Sequence, residues 1–470
     1  MHRRAVIKRV LGGALGVAAA VSASPSSAKP AAEPEAWDVI VVGGGFAGVT
    51  AARDASHRGL RTLLLEARDR LGGRTANADF GGRKIEVGGT WIGWAQPHVW
   101  AERMRYQAPI AESAAMQSNT QYVWVANGER HVGRADDYWA AMSPAYDAYY
   151  APARAAFPQP YDPLLVKGVE SLDRLNAAQA IEALKISPLQ RELLCSLAAV
   201  CGHSPSDRSS YLDQLRWIAL SGFSSNFMWD NLGRFRLERG TESLINSMIS
   251  DSTARVELNQ PVARISQTRD GVEVVTQGGL RHRAKAAVIA LPLNVLSKVA
   301  FSPRLSSVKF DASVRRHTGS GVKVWAKTPR RAQPIFANGP EDFPLNFVWT
   351  EFQDTDSQLL VGFGASRERL DTADRTQVEA AIRRYVPDVE VQEIHSHDWT
   401  ADPYALGTWC MYPPGMLTTA LPGLQRPEGR LFFASADIAT GWRGFIDGAI
   451  ESGAIAARHV ATELSGEGAQ

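Results

Sequence analysis

Between Val41 and Thr75 the chain reads VVGGGFAGVTAARDASHRGLRTLLLEARDRLGGRT. The apolar run WDVIVV, closed by glycines, has the continuous hydrophobicity of a buried parallel strand. GVTAARDASHRG has helical spacing and a glycine stop at Gly59, and LRTLLLEA returns to strand. Gly43, Gly45 and Gly48 satisfy G-x-G-x-x-G between that strand and helix, the context in which the pattern carries weight. Gly43 would permit the tight turn, Gly45 the approach of a pyrophosphate, and Gly48 the close packing of helix on strand. The helix start offers unpaired N–H groups to phosphate. Glu66 ends the second strand, where an acid grips a ribose hydroxyl pair and disfavours a 2′-phosphate. NAD and FAD both fit these residues, and NADP does not.

At 470 residues the chain exceeds one simple core and suits two intertwined or successive domains. A net charge of +2, with no basic run beyond the N-terminus, gives no reason to expect nucleic acid. The N-terminus, MHRRAVIKRVLGGALGVAAAVSASPSSAKP, has the form of an export signal: a basic start, a short apolar run, then small residues. That run is too short for a stable membrane anchor. Arg3 and Arg4 resemble a twin-arginine signal, which exports folded, cofactor-loaded proteins to the periplasm, and an ordinary secretory signal is the alternative. Cys195, Cys201 and Cys410 form neither a disulfide framework nor a metal spacing and read as packing residues.

Residues 24 to 36 form a Pro/Ala/Ser linker, and the fold is expected to start at Trp37. From about 100 to 240 helical stretches such as IEALKISPLQRELLCSLAAV dominate, with few strand signals. Strands return in ARVELNQPVARISQTRDGVEVVTQ, with Asp270 and Gly271 as a hairpin turn, and in AAVIALPL. GVKVWAKTP and LLVGFGA mark a second mixed region, and the last stretch pairs a strand with a long helix.

Beyond Glu66 come Arg68, the pair Gly72 and Gly73, and Arg74, a second element able to hold phosphate. With IEVGGTWIG and FFASADIATGWRGFIDGAIESGAIAA, this stretch resembles the flavin-containing amine oxidase family of monoamine and polyamine oxidases, from Trp37 to about Val460. The resemblance implies an α/β fold: a Rossmann-like FAD-binding domain of glutathione reductase type 2 topology, interleaved with a substrate domain of mixed sheet and helices. Its expected boundaries are 1–36 for signal and linker, 37–100, 241–300 and 426–465 for the FAD-binding domain, and 101–240 and 301–425 for the substrate domain.

The resemblance puts Glu66 on the adenosine ribose, Arg68, Gly73 and Arg74 near the pyrophosphate, and Gly89, Thr90 and Trp91 beside the flavin. Val262 matches a valine whose backbone holds the adenine, and Trp399 matches another flavin neighbour. Asp437 stands where the family usually has glutamate on the ribityl and phosphate portion, and Ile446 would offer its N–H to the flavin's pyrimidine edge. Lys323 matches the lysine that holds a water against the flavin; by itself it would read as an exposed strand lysine. Trp409 and Phe445 match the two walls of an aromatic cage that steers an amine and stabilises developing positive charge. Thr408 replaces the cysteine that bonds flavin covalently in animal monoamine oxidases, so FAD is expected to be noncovalent.

Such an enzyme oxidises an amine to an imine by hydride transfer to flavin, the imine then hydrolysing to aldehyde or ketone. Within the family the chain is similar to bacterial amine oxidases of alkaloid breakdown, the nicotine and pseudooxynicotine group. It departs from the nicotine enzyme at Phe445, where that enzyme has a small polar residue. The resemblance leaves molecular oxygen or a periplasmic cytochrome c as electron acceptor and admits a homodimer. Two other readings share the dinucleotide signature: a desaturase or protoporphyrinogen-type oxidase, and a catalytically silent FAD-binding protein. Lys323, Trp409 and Phe445 together speak against both.

Overall fold

A computed structural model describes residues 36–466. The expected export signal and most of the expected linker lie outside the described residues. The strand Ala36–Val42 pairs in parallel on one side with Thr62–Leu65 and on the other with Arg281–Ile289, so that Val42 lies between Leu65 and Ile289. Val39, Ile40 and Val41 are all fully buried, since this central strand is covered on both faces. Each such side chain contributes roughly 1.5–3 kcal/mol of apolar burial. Arg255–Glu257 adds a parallel strand outside Thr62–Leu65, and Leu431–Phe433 pairs in parallel with the end of Arg281–Ile289. The hairpin of Val262–Gln267 and Val272–Thr276, closed by a Thr268 N–H to Gly271 carbonyl bond of 2.8 Å, and the strand Ala300–Ser302 complete an eight-stranded sheet. The first helix, Phe46–His57, packs on the last, Ile446–Ser465. This is the Rossmann-like α/β arrangement expected from the sequence.

A second sheet has seven strands in the order Glu393–Ser396, Val322–Pro329, Ser357–Gly364, Phe347–Gln353, Ile335–Asn338, Gln121–Ala126 and Glu129–Gly133. The last two correct the sequence reading, which took 101–240 as poor in strands. They form a hairpin turned by Asn127 and Gly128, both at positive φ (51° and 77°). An Asn-Gly pair between alternating residues is a hairpin signal that the surrounding helices obscured. Ile110–Glu112 and Phe235–Leu237 are further strands of that region, joined with Trp91–Ile92 in a small three-stranded sheet. The stretch IEALKISPLQRELLCSLAAV runs from the end of one helix, Ala177–Glu182, into a second, Pro188–Gly202, which starts afresh because Ser187 caps it through the Gln190 N–H and Pro188 occupies its first turn. Among the described residues, no helix is long and apolar enough to cross a membrane.

Candidate active site

One cavity, with about 2000 Å³ of space between atoms including its open mouth, runs from the glycine loop to a cluster of aromatic rings. At the loop end Gly43 has φ +107°, a conformation that L side chains rarely adopt, and a Cβ there would stand 2.5 Å from the Ala290 carbonyl oxygen. A Cβ on Gly48 would collide with the Gly43 carbonyl, so that position sets helix-to-strand packing and stands behind the cavity wall. The helix begins at Gly45 with no side-chain cap and no acid in its first turn. Its end therefore keeps free N–H groups and partial positive charge for an anion. The second glycine element lies directly against the first: Gly72 donates its N–H to the Gly44 carbonyl at 2.9 Å.

Glu66 is buried, accepting the Gly44 N–H at 2.6 Å and the Arg68 N–H at 2.8 Å. Arg68 lines the cavity, but its guanidinium is paired to Asp402 at 2.5 Å and lies over Tyr404. Arg74 donates to the Thr408 carbonyl at 2.8 Å and to Asp437 at 2.6 Å. Asp437 does not line the cavity. It is fully buried behind Arg74, accepting also the Leu293 N–H at 2.8 Å, and so holds the Arg74 guanidinium in place at the wall. Burial pushes its carboxyl up, but Arg74, His317 and the Leu293 N–H outweigh that and hold it below the usual carboxylate range. Val262 and Ile446 line the cavity from the start of their strand and helix. Gly73 and Gly89 line it too, as does Trp399, whose indole donates to the Val87 carbonyl at 2.9 Å.

Lys323 is buried on the Val322–Pro329 strand, 6% exposed, which excludes the exposed-lysine reading. Its Nζ donates to the Gly88 carbonyl at 2.9 Å and to Thr90 Oγ1 at 2.5 Å, and lies 4.9 Å from the Trp91 ring centre. Burial pushes its pKa down, with Glu86 and Glu351 opposing. In its neutral form both hydrogens are committed, leaving the lone pair to accept a proton or a water hydrogen. Trp409 and Phe445 reach the same cavity from distant segments, Trp409 anchored by its indole N–H to the Cys201 carbonyl at 2.8 Å. Phe445 packs edge-on against Trp217, ring centres 5.0 Å apart.

Sequence reasoning missed Trp217, Trp229, Trp349, Phe363 and His203, all in the cavity wall. Trp349 and Phe363 stack 5.2 Å apart on neighbouring strands that are buried almost throughout, so no alternation along either strand singles them out. Among the wall residues Glu66 is the sole carboxylate, and it lies at the loop end.

An uncapped helix start, a buried acid and a cavity continuing to a ring-walled end fit a dinucleotide whose reactive ring lies among aromatic side chains. The comparisons agree. Residues 46–461 match the family described as flavin containing amine oxidoreductase. A pseudooxynicotine dehydrogenase of a Pseudomonas species is 38% identical, covering 92% of this chain and 87% of that protein. A nicotine dehydrogenase of Pseudomonas putida is 36% identical, covering 91% and 89%. Cyclohexylamine oxidase from Brevibacterium oxydans shares the fold with a TM-score of 0.79 at 22% identity, covering 91% of this chain and 99% of its own. Cavity, fold and relatives thus converge on one assignment: the chain belongs to the flavin-containing amine oxidoreductases and is an FAD enzyme that oxidises amines.

Proposed function

We propose that the substrate is a monoamine or alkaloid-type amine such as nicotine or pseudooxynicotine. The observation that carries this is the charge of the wall: rings at the amine end, and no carboxylate among them to pair with a second ammonium group. A polyamine would leave a cation unpaired there. Phe445 favours an aryl or cyclic amine that fills the space between large rings.

Bound flavin supplies the hydride acceptor. The chain's own work is to exclude water with aromatic walls, orient the amine and hold a proton or a water at Lys323 Nζ. Noncovalent FAD follows from Thr408, whose hydroxyl is no match for a cysteine thiolate as a nucleophile. Flavin released into the supernatant on acid precipitation would agree; flavin retained in the pellet would sink it. The two relatives named dehydrogenases support an acceptor other than oxygen, with a periplasmic cytochrome c as our choice and export by the twin-arginine signal as its corollary.

The decisive test is anaerobic mixing of the purified enzyme with nicotine, pseudooxynicotine, an aryl-alkyl amine and putrescine. Rapid bleaching by one of the first three, and none by putrescine, is the expected result. Bleaching by putrescine alone would overturn the substrate class. Reoxidation of the reduced enzyme by air within seconds would make oxygen the acceptor.

A further inference from the structure

His203 terminates the helix Pro188–Gly202 in the left-handed conformation, φ 46°, which is uncommon for a residue with a side chain. The turn aims both its ring and its carbonyl at two segments that carry site residues. The ring stacks on Trp409 with centres 3.9 Å apart and planes 4° from parallel. Nδ1 lies 2.8 Å from the Thr408 hydroxyl, and Nε2 lies 3.1 Å from the Val322 carbonyl. A carbonyl can only accept, so Nε2 carries the hydrogen and the Thr408 hydroxyl donates to Nδ1. The His203 carbonyl accepts the N–H groups of Ser320 and Gly321, at 2.8 and 2.7 Å, on the approach to Lys323. Fit is tight: a Cβ on Gly321 would stand 2.5 Å from His203 Cδ2. Burial, aided by the nearby Lys323 and opposed by the Val322 bond, pushes the imidazole down to about 3, so it stays neutral at working pH.

We infer that His203 is a positioning residue for amine binding: it fixes the plane of Trp409 and the register of that wall against the Lys323 strand. This rests on the reading of Trp409 as an amine wall. A ring pinned from behind presents one face to the cavity, and a loosened ring samples orientations that the bound amine must then order. The loss should fall on amine affinity and spare the chemical step.

The test is anaerobic flavin reduction of the FAD-loaded enzyme, using whichever of nicotine, pseudooxynicotine or benzylamine reduces the wild type fastest. It reads the amine concentration for half-maximal rate and the limiting rate. His203→Ala should raise the first about tenfold and change the second less than about threefold. His203→Phe, which keeps a ring behind Trp409 and loses both side-chain hydrogen bonds, should recover part of the loss. Thr408→Val, which leaves the histidine in place, should give a smaller loss of the same kind and serves if His203→Ala does not fold. In a Trp409→Ala background, His203→Ala should add nothing, because the ring it positions is gone. A full additional loss in that background, or wild-type affinity in folded, FAD-loaded His203→Ala, overturns the proposal. Unchanged affinity in Trp409→Ala alone removes the amine-wall reading instead, and with it the ground on which this proposal stands.

Discussion

At the glycine-loop end of the cavity the ligand-facing groups are backbone N–H donors of one helix start, together with the buried carboxylate of Glu66. At the amine end they are ring faces and a single lysine, from segments as distant as Trp91, Trp217, Lys323, Trp409 and Phe445. One end is a local device that a βαβ unit builds wherever its spacing is right. The other exists only where two sheets and several helices meet. The first tolerates few changes of backbone and many of surroundings; the second should be tunable ring by ring while FAD stays bound.

Gly48→Val should have the largest effect, since any side chain there strikes the Gly43 carbonyl. Purified protein is expected to lack FAD, measured by visible absorbance, and to melt earlier. A yellow, stable variant would break the contrast at its local end. Lys323→Met comes next: flavin reduction should slow by roughly 100-fold with FAD content unchanged, the low end of what a positioned proton carrier contributes. Reduction at the wild-type rate would remove Lys323 from the chemistry. Glu66→Ala should weaken FAD binding about 10-fold, or ~1.4 kcal/mol, measured by titrating the apoenzyme. Amine dependence should be unaltered once FAD is saturating, and a shift there would blur the two ends.

The smallest effect is pH dependence of stability. His203 and His317 are held neutral in the fold, pushed down to about 3 and about 4 mainly by burial. Below the ordinary histidine value of about 6.5 the unfolded chain takes up protons that the fold refuses, so stability falls with pH from there to about 4. The slope approaches ~1.4 kcal/mol per pH unit for each histidine that is titrating only when unfolded. Asp437 acts in the same direction over a lower window: its folded pKa is lowered, so its contribution is present above the ordinary carboxylate value and lost only as pH falls below it. Melting temperatures across pH should therefore show the His203→Phe effect between 4 and 6.5, and the Asp437→Asn effect in slope only below about 4. Coincident windows would contradict the assignment.

Much of the nucleotide end could be read directly from residues. Gly43, Gly48 and Glu66 lie where the motif requires them, because a turn, a close approach and a strand end are properties of a few consecutive residues. Asp437 could be placed only by resemblance: its buried carboxylate holds Arg74 across 363 positions of sequence. Lys323, Trp409 and Phe445 could be named by family likeness and by nothing in their spacing. His203, Trp349 and Phe363 escaped altogether, and so did the Asn127–Gly128 hairpin within a helical stretch.

The pairing of Ala36–Val42 with Thr62–Leu65, the helix start at Gly45 and the choice of dinucleotide over dinucleotide phosphate were dictated locally, by hydrophobic period and by the steric demands of a few consecutive residues. Which rings share a wall, and that an imidazole stands behind Trp409, depends on contacts between residues some two hundred positions apart. Those contacts arise only after non-local burial has brought the sheets together, and the side chains that meet there carry no mark of it in their neighbours along the chain.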